Sequence, residues 1–304
     1  MRIFDLHCDT IGECFKQGKS LKKNDLHIDL ERLSKYKSYT QVFAIWIPDE
    51  YRGEQAFSYF NDVADFFAGE INKNQDIISL YSDNKKTPVK AILAAEGGSA
   101  CGGTIEGLYR LKEKGVSLIT LTWNAQNEIA SGAFSEGGFT RFGKEFVKEC
   151  EKLNIAIDVS HLNRESFWQL VRFYDGPLLA SHSNADIVDN PYGKKRNLTA
   201  EQIGEIHKRN GIVGLNFCRD FIESDNIEGI ASLKRQIEYF AENGWEDVVS
   251  VGADYDGCEV HSDLNGVEKL TSVYDNLLIS GFSNSLLDKM FYENANRFFD
   301  YNYR

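Results

Sequence analysis

What most constrains the fold of this chain is an alternation: short apolar runs separated by longer stretches whose apolar residues recur every three or four positions. The runs are Ile3 to Leu6, Gln41 to Ile47, Ala91 to Ala95, Ser117 to Thr122, Ile155 to Val159, Pro177 to Ala180, Gly211 to Phe217 and Val248 to Gly252. Their length and near-continuous apolarity suit parallel strands buried on both faces. The intervening periodicity predicts helices over 55–71, 142–153, 164–173, 199–209 and 233–243. Thr199 with Gln202 three places on is a capping-box pattern, and Asn154 and Asn210-Gly211 stand where helices should stop. Eight strands alternating with helices over about 250 residues is the arithmetic of an α/β (β/α)8 barrel, a TIM barrel. A doubly wound open sheet is the alternative, because alternation alone does not show closure. The chain has only four prolines and no break in composition, so residues 1–304 are expected to form a single domain.

A formal charge of −12 argues against a general basic surface for nucleic acid or an anionic membrane. No apolar run approaches the roughly 20 residues needed to span a bilayer. The first strand begins at residue 2, leaving no room for a signal peptide, and six scattered cysteines without a CxxC pair read as reduced thiols. A cytoplasmic location is the expectation.

Chemistry-bearing residues collect where the strands end. Strand one runs into His7-Cys8-Asp9, strand three into Glu96-Gly97-Gly98, strand five into Asp158-Val159-Ser160-His161. Strand six runs into Ser181-His182 and strand eight into Asp254-Tyr255-Asp256-Gly257. In a barrel these ends form one catalytic face. Taken singly, each residue has an ordinary reading as a capped strand end, a turn or a backbone hydrogen bond. Their joint placement on one face points instead to a metal hydrolase. His7, Asp9, Glu96, His161 and His182 are one donor too many for a closed tetrahedral zinc, but serve two ions if Glu96 bridges. Two such ions could share a hydroxide, with Asp254 accepting or orienting its proton. The mixed His/carboxylate set favours two Zn²⁺, while Mn²⁺, Fe²⁺ or Co²⁺ fit the same donors. Asp158 stands as either a partner to these ligands or a strand-end acceptor. Cys8 should point away into the core, and His27, His207 and His261 are expected to be structural.

With these residues in view, the chain resembles the renal or membrane dipeptidase family, dinuclear-zinc peptidases of the amidohydrolase-like barrel group. The resemblance covers nearly the whole length. It rests on Asp5-Leu6-His7-Cys8-Asp9, His27-Ile28-Asp29-Leu30, Ala95-Glu96-Gly97-Gly98, Asp158-Val159-Ser160-His161 and Ser181-His182-Ser183-Asn184. Arg196-Asn197-Leu198-Thr199 and Gly252-Ala253-Asp254-Tyr255-Asp256-Gly257 extend it. It implies that His7 and Asp9 hold one zinc, His161 and His182 the other, and that Glu96 bridges. Asp254 matches the acid handling the proton of the bridging water, and Arg196 the arginine that holds the terminal carboxylate of a dipeptide. Members cleave dipeptides, often with a D-residue at the C-terminal position, and often dimerise, so a small dipeptide-like substrate and a homodimer are implied.

Two residues depart from the pattern. Trp123 stands where mammalian members carry a histidine near the scissile amide, and an indole has one donor and no basic nitrogen. That makes Trp123 a substrate-contacting candidate of altered chemistry. Phe221 stands where some members place a carboxylate-binding tyrosine. The leading expectation is therefore a metal-dependent dipeptidase. A related amidase or lactonase, or a non-catalytic metal-binding scaffold, remains the alternative.

Overall fold

In a computed structural model describing residues 1–303, nine parallel strands are present among the described residues. They are β1 (Arg2–Cys8), β2 (Ser38–Trp46), β3 (Ile78–Leu80), β4 (Val89–Glu96), β5 (Val116–Thr120), β6 (Ala156–Asp158), β7 (Leu179–Ala180), β8 (Ile212–Leu215) and β9 (Val249–Val251). Eight of them close a ring. β2 pairs directly with β4, and the ring shuts where β1 meets β9 at Asp5 and Val251. The closed (β/α)8 barrel, not the open sheet, is the fold. β3 adds a ninth strand outside the ring, pairing Ile78 to Leu80 with Val89 to Ala91 of β4.

Each expected run holds one of the eight ring strands. Alternation along each strand sends residues to two different cores. Phe4, Leu6, Val42, Ala44, Ile92, Ala94, Leu118, Leu179 and Ile212 fill the barrel interior. Ile3, Tyr39, Phe43, Ile45, Val89, Leu93, Ile119 and Val213 pack outward under the helices. The C-terminal helix Asn294–Asn302 stops the interior at the strands' starting end, where Phe299 stacks on Phe4 with ring centroids 5.2 Å apart.

The predicted helices form over Gly53–Lys73, Arg141–Lys152, Arg164–Phe173, Ala200–Lys208 and Gly229–Glu242. Thr199 and Gln202 make the reciprocal capping box. Asn154 and Asn210 adopt left-handed backbone (φ 52° and 53°), the conformation a helix stop requires. Thr10–Gln17, Ile105–Glu113 and Leu270–Ile279 are further helices. No helix among the described residues is long and apolar enough to cross a membrane.

Candidate metal centre and its cavity

All the strand-end residues singled out from the sequence meet at one mouth of the barrel. His7 belongs to β1, but Asp9 lies past its end with φ −99° and ψ 5°, so strand alternation is not what aims it. A register shift between Asp5 and Cys8 re-aims the end of β1 instead, and His7 Nε2 lies 3.4 Å from Asp9 Oδ2. Glu96 ends β4, followed by Gly97 at φ 105°, a turn open to glycine. His161 and Asp254 follow β6 and β9 with φ of 67° and 59°. Left-handed backbone at two non-glycine residues of one site is local strain held by the surrounding structure.

Glu96 divides its two oxygens. Oε1 lies 3.0 Å from His161 Nε2 and 3.3 Å from His182 Nε2, whereas Oε2 lies 3.4 Å from His7 Nε2. The Nε2 atoms of His161 and His182 are 2.9 Å apart. His7 and His182 also share a donor group with Asp254, whose Oδ1 is 3.8 Å from His7 Nε2. These residues are buried, and His7 Nε2 is enclosed with no hydrogen-bond partner. At Gly257, a Cβ would stand 2.2 Å from Asp9 Oδ2 and 2.5 Å from Asp254 Oδ1, so glycine keeps both oxygens uncovered. An orphaned imidazole nitrogen and three clustered carboxylates, one of them the shared Glu96, fit divalent cations by their donor chemistry.

Protonation follows from burial and charge. Burial, then the charge of Arg196, pushes His161 down to about 4, and burial with the charge of His7 lowers His182 well below its ordinary value. Both imidazoles are thereby neutral, the form that binds metal. Burial opposes protonation of His7, but Glu96 and Asp9 outweigh it and hold His7 well above its usual range. Burial and the Glu96 charge raise Asp9 to about 7, and burial raises Asp254.

Three hydrogen-bond acceptors fix which imidazole nitrogen faces the centre. Asp158 Oδ1 accepts the backbone N–H groups of Ser160 and Ser181, each at 2.9 Å. Its Oδ2 accepts the hydroxyls of Thr120 and Ser181, each at 2.6 Å. With its one proton given to Asp158, Ser181 Oγ can only accept from His182 Nδ1 at 2.7 Å and, more weakly, His7 Nδ1 at 3.5 Å. His161 Nδ1 is met by Asn124 Oδ1 at 3.0 Å. The neutral His161 and His182 thus turn their Nε2 lone pairs towards Glu96, as orienting partners do in metal sites. Asp158 fills both of its sequence readings, accepting strand-end N–H groups through Oδ1 and reaching the ligands only through the Ser181 hydroxyl on Oδ2. Ser181, Thr120 and Asn124 carried no spacing signal, and neither did Asn216, whose Nδ2 donates to Asp254 Oδ2 at 2.9 Å.

A cavity of about 450 Å³ opens onto Glu96, His161 and Asp254, with Trp46, Trp123 and Phe221 in its lining. Trp123 packs edge-on against Trp46 at 5.0 Å and lies 6.3 Å from the His161 ring. Arg196 is buried beside this cavity, donating to Ser183 Oγ and the His182 carbonyl, each at 2.9 Å. Its guanidinium stands 5.6 Å from the Phe221 ring, and Phe221, not Arg196, lines the cavity. Cys8 is buried in the outer core. His27 braces a neighbouring loop, its Nδ1 accepting the Asp256 N–H at 2.9 Å.

A sequence model described as membrane dipeptidase, peptidase family M19, matches residues 1–301. An uncharacterized protein in the pqqA 5′ region of Klebsiella pneumoniae is 31% identical over 231 residues, covering 72% of this chain and 83% of its own. Among solved structures, a metallopeptidase from Rhodobacter sphaeroides liganded with a phosphinate mimic of the dipeptide L-Ala-D-Ala superposes with a TM-score of 0.91. It is 23% identical, over 100% of this chain and 99% of that one. The dipeptidase AC, a metallopeptidase of family M19, gives a TM-score of 0.90 at 24% identity, again over 100% and 99% of the two chains.

Proposed function

The chain belongs to the membrane dipeptidase family, peptidase family M19, and we propose that it is a dipeptidase working at a two-metal centre held by His7, Asp9, Glu96, His161 and His182. The observation that carries this reading is the division of the Glu96 carboxylate, one oxygen towards His7 and the other towards His161 and His182. His7 with Asp9 would hold one ion, His161 with His182 the other, and Glu96 both. Zn²⁺ is the first choice for this donor set. When bound, the ions polarise the scissile carbonyl and make water a nucleophile at neutral pH.

The chain's own residues do the rest. Asp254, its Oδ2 held by Asn216 and its carboxyl raised by burial, is suited to accept a proton from the attacking water and return it to the leaving amine. Trp46 and Trp123 exclude water from one wall of the cavity. Arg196 is the candidate anchor for the substrate's terminal carboxylate, with its Nε still unpaired. Residues 1–304 would act as one metallo-hydrolase domain. Tolerance of a D-residue at the C-terminal position is included because the similar Rhodobacter enzyme takes a mimic of L-Ala-D-Ala.

Trp123 favours a second reading. Without the family histidine, the site suits an amidase or lactonase acting on another small molecule. A panel of L,L and L,D dipeptides, run on the zinc-loaded protein and on Trp123→His, separates the two. The dipeptidase reading expects turnover of at least one dipeptide class by the native protein and about two ions per chain. Cleavage of other amides alone, with every dipeptide untouched by both proteins, refutes it.

A further inference from the structure

We propose that Asn124 is a catalytic residue, its Nδ2 amide donating to the scissile carbonyl oxygen and to the oxyanion that develops there. The assignment rests on the dipeptidase reading. It fills the role left open by Trp123, one position earlier in the chain.

Asn124 lines the cavity together with Glu96, His161 and Asp254. The orientation of its amide follows from its partner. A divalent ion held between His161 Nε2 and Glu96 would take the Nε2 lone pair and leave the ring proton on Nδ1, to be donated to Asn124 Oδ1 at 3.0 Å. The Asn124 oxygen is therefore committed to His161, and the amide NH₂ is left over. Among the described residues Nδ2 has no hydrogen-bond partner, although its residue borders the reaction cavity.

The donor is also held still. The Asn124 carbonyl accepts the Phe134 N–H at 3.1 Å, and Asp49 Oδ2 accepts the Ala125 N–H at 3.0 Å. Gly132 closes on the same turn, its N–H donating to the Ala125 carbonyl at 3.1 Å. A Cβ at Gly132 would come within 2.6 Å of the Asn124 carbonyl, so the loop can pack this closely only around glycine. A fixed donor pays no reorganisation as charge develops, which is what makes such groups effective. The Trp123 indole has no comparable tie to the ligand cluster, being packed edge-on against Trp46.

In the hydrolysis, a C–O bond forms from water to the carbonyl carbon while the carbonyl π pair moves onto oxygen. Collapse of that oxyanion breaks the C–N bond, and the amine leaves with a proton from the attacking water. Asn124 Nδ2 stabilises the electron pair while it resides on oxygen, and it transfers no proton.

The test uses the zinc-loaded protein with L-Ala-D-Ala and L-Ala-L-Ala. Asn124→Asp keeps the acceptor for His161 and removes the donor, and Asn124→Ala removes both without adding charge. Both variants should lose about 10²- to 10³-fold in kcat with KM little changed. Asn124→Asp should retain its zinc, and binding of a phosphinate dipeptide mimic should weaken with kcat/KM. Retention of kcat within about threefold in either variant overturns the assignment. So does a larger loss in Trp123→Phe than in Asn124→Asp. If the native protein cleaves no dipeptide, the dipeptidase reading falls and takes this assignment with it. Native turnover with undiminished variants refutes the assignment alone.

Discussion

Ser181→Ala removes a single oxygen that serves ligands of both proposed ions. In the native protein Ser181 Oγ lies 2.6 Å from Asp158 Oδ2, 2.7 Å from His182 Nδ1 and 3.5 Å from His7 Nδ1. Asp158 loses little, because Oδ2 keeps Thr120 Oγ1 and Oδ1 keeps the Ser160 and Ser181 N–H groups. His182 loses the acceptor of a buried N–H, which costs about 1–3 kcal/mol. For a chain of 304 residues, with unfolding entropy near 2.1 cal/mol/K per residue, that lowers Tm by about 2–5 °C. The second consequence is specific to metal binding. With Nδ1 no longer held, His182 can present a protonated Nε2, and loss of such a partner weakens metal affinity about 10- to 100-fold. That range corresponds to about 1.4–2.7 kcal/mol. Calorimetry on chelator-treated protein measures the first effect, and Zn²⁺ competition against a chromogenic chelator measures the second. A variant with lowered Tm but native affinity for both ions would refute the tautomer argument and leave Ser181 a packing residue.

Two further outcomes are expected. Glu96→Gln leaves one carbonyl oxygen where two carboxylate oxygens face different imidazoles, so metal occupancy and turnover should fall together; normal turnover in this variant excludes a bridging role. Glu70 is buried, accepting the Leu21 N–H at 2.8 Å and the Ser20 hydroxyl at 3.1 Å, with Lys73 Nζ also at 2.8 Å. Burial opposes its ionisation, but these donors prevail and hold its carboxyl below the usual range. A lowered carboxyl stabilises the fold above its unfolded-state value and loses that contribution as pH falls through the folded one. Glu70→Gln should thus cost about 1–2 kcal/mol at pH 7 and progressively less below about pH 4.5, read from urea unfolding across pH. An equal cost at pH 7 and pH 3 would show that charge plays no part.

Much of this protein is legible along the chain because its signals are local. A parallel strand buried on both faces must be apolar throughout, so Ile3 to Leu6 and Val248 to Gly252 announce themselves without neighbours. A helix must satisfy its first N–H groups, so Thr199 and Gln202 mark a start. Metal-binding residue types placed just after such strands mark the mouth of a barrel, which is how His7, Glu96, His161, His182 and Asp254 could be grouped before any contact was known.

What the chain leaves unwritten depends on residues meeting across the ring. Closure rests on the pairing of Asp5 with Val251, far apart in sequence, and no local periodicity encodes it. The shared hydroxyl of Ser181 acquires its polarity only because Asp158 arrives from β6 to take its proton, the same carboxylate oxygen accepting the Thr120 hydroxyl from β5. Asn124 is an ordinary loop residue until the fold sets its Oδ1 3.0 Å from His161 Nδ1 at the edge of the cavity. Arg196, a clear candidate by motif, is buried behind Phe221, which lines the cavity, an arrangement set by the packing of two short helices, Pro191–Arg196 and Arg219–Ile222. Propensity and hydrophobic period act over a few residues, whereas hydrogen-bond direction at a buried site is settled by which donors and acceptors the closed barrel brings within about 3 Å of one another.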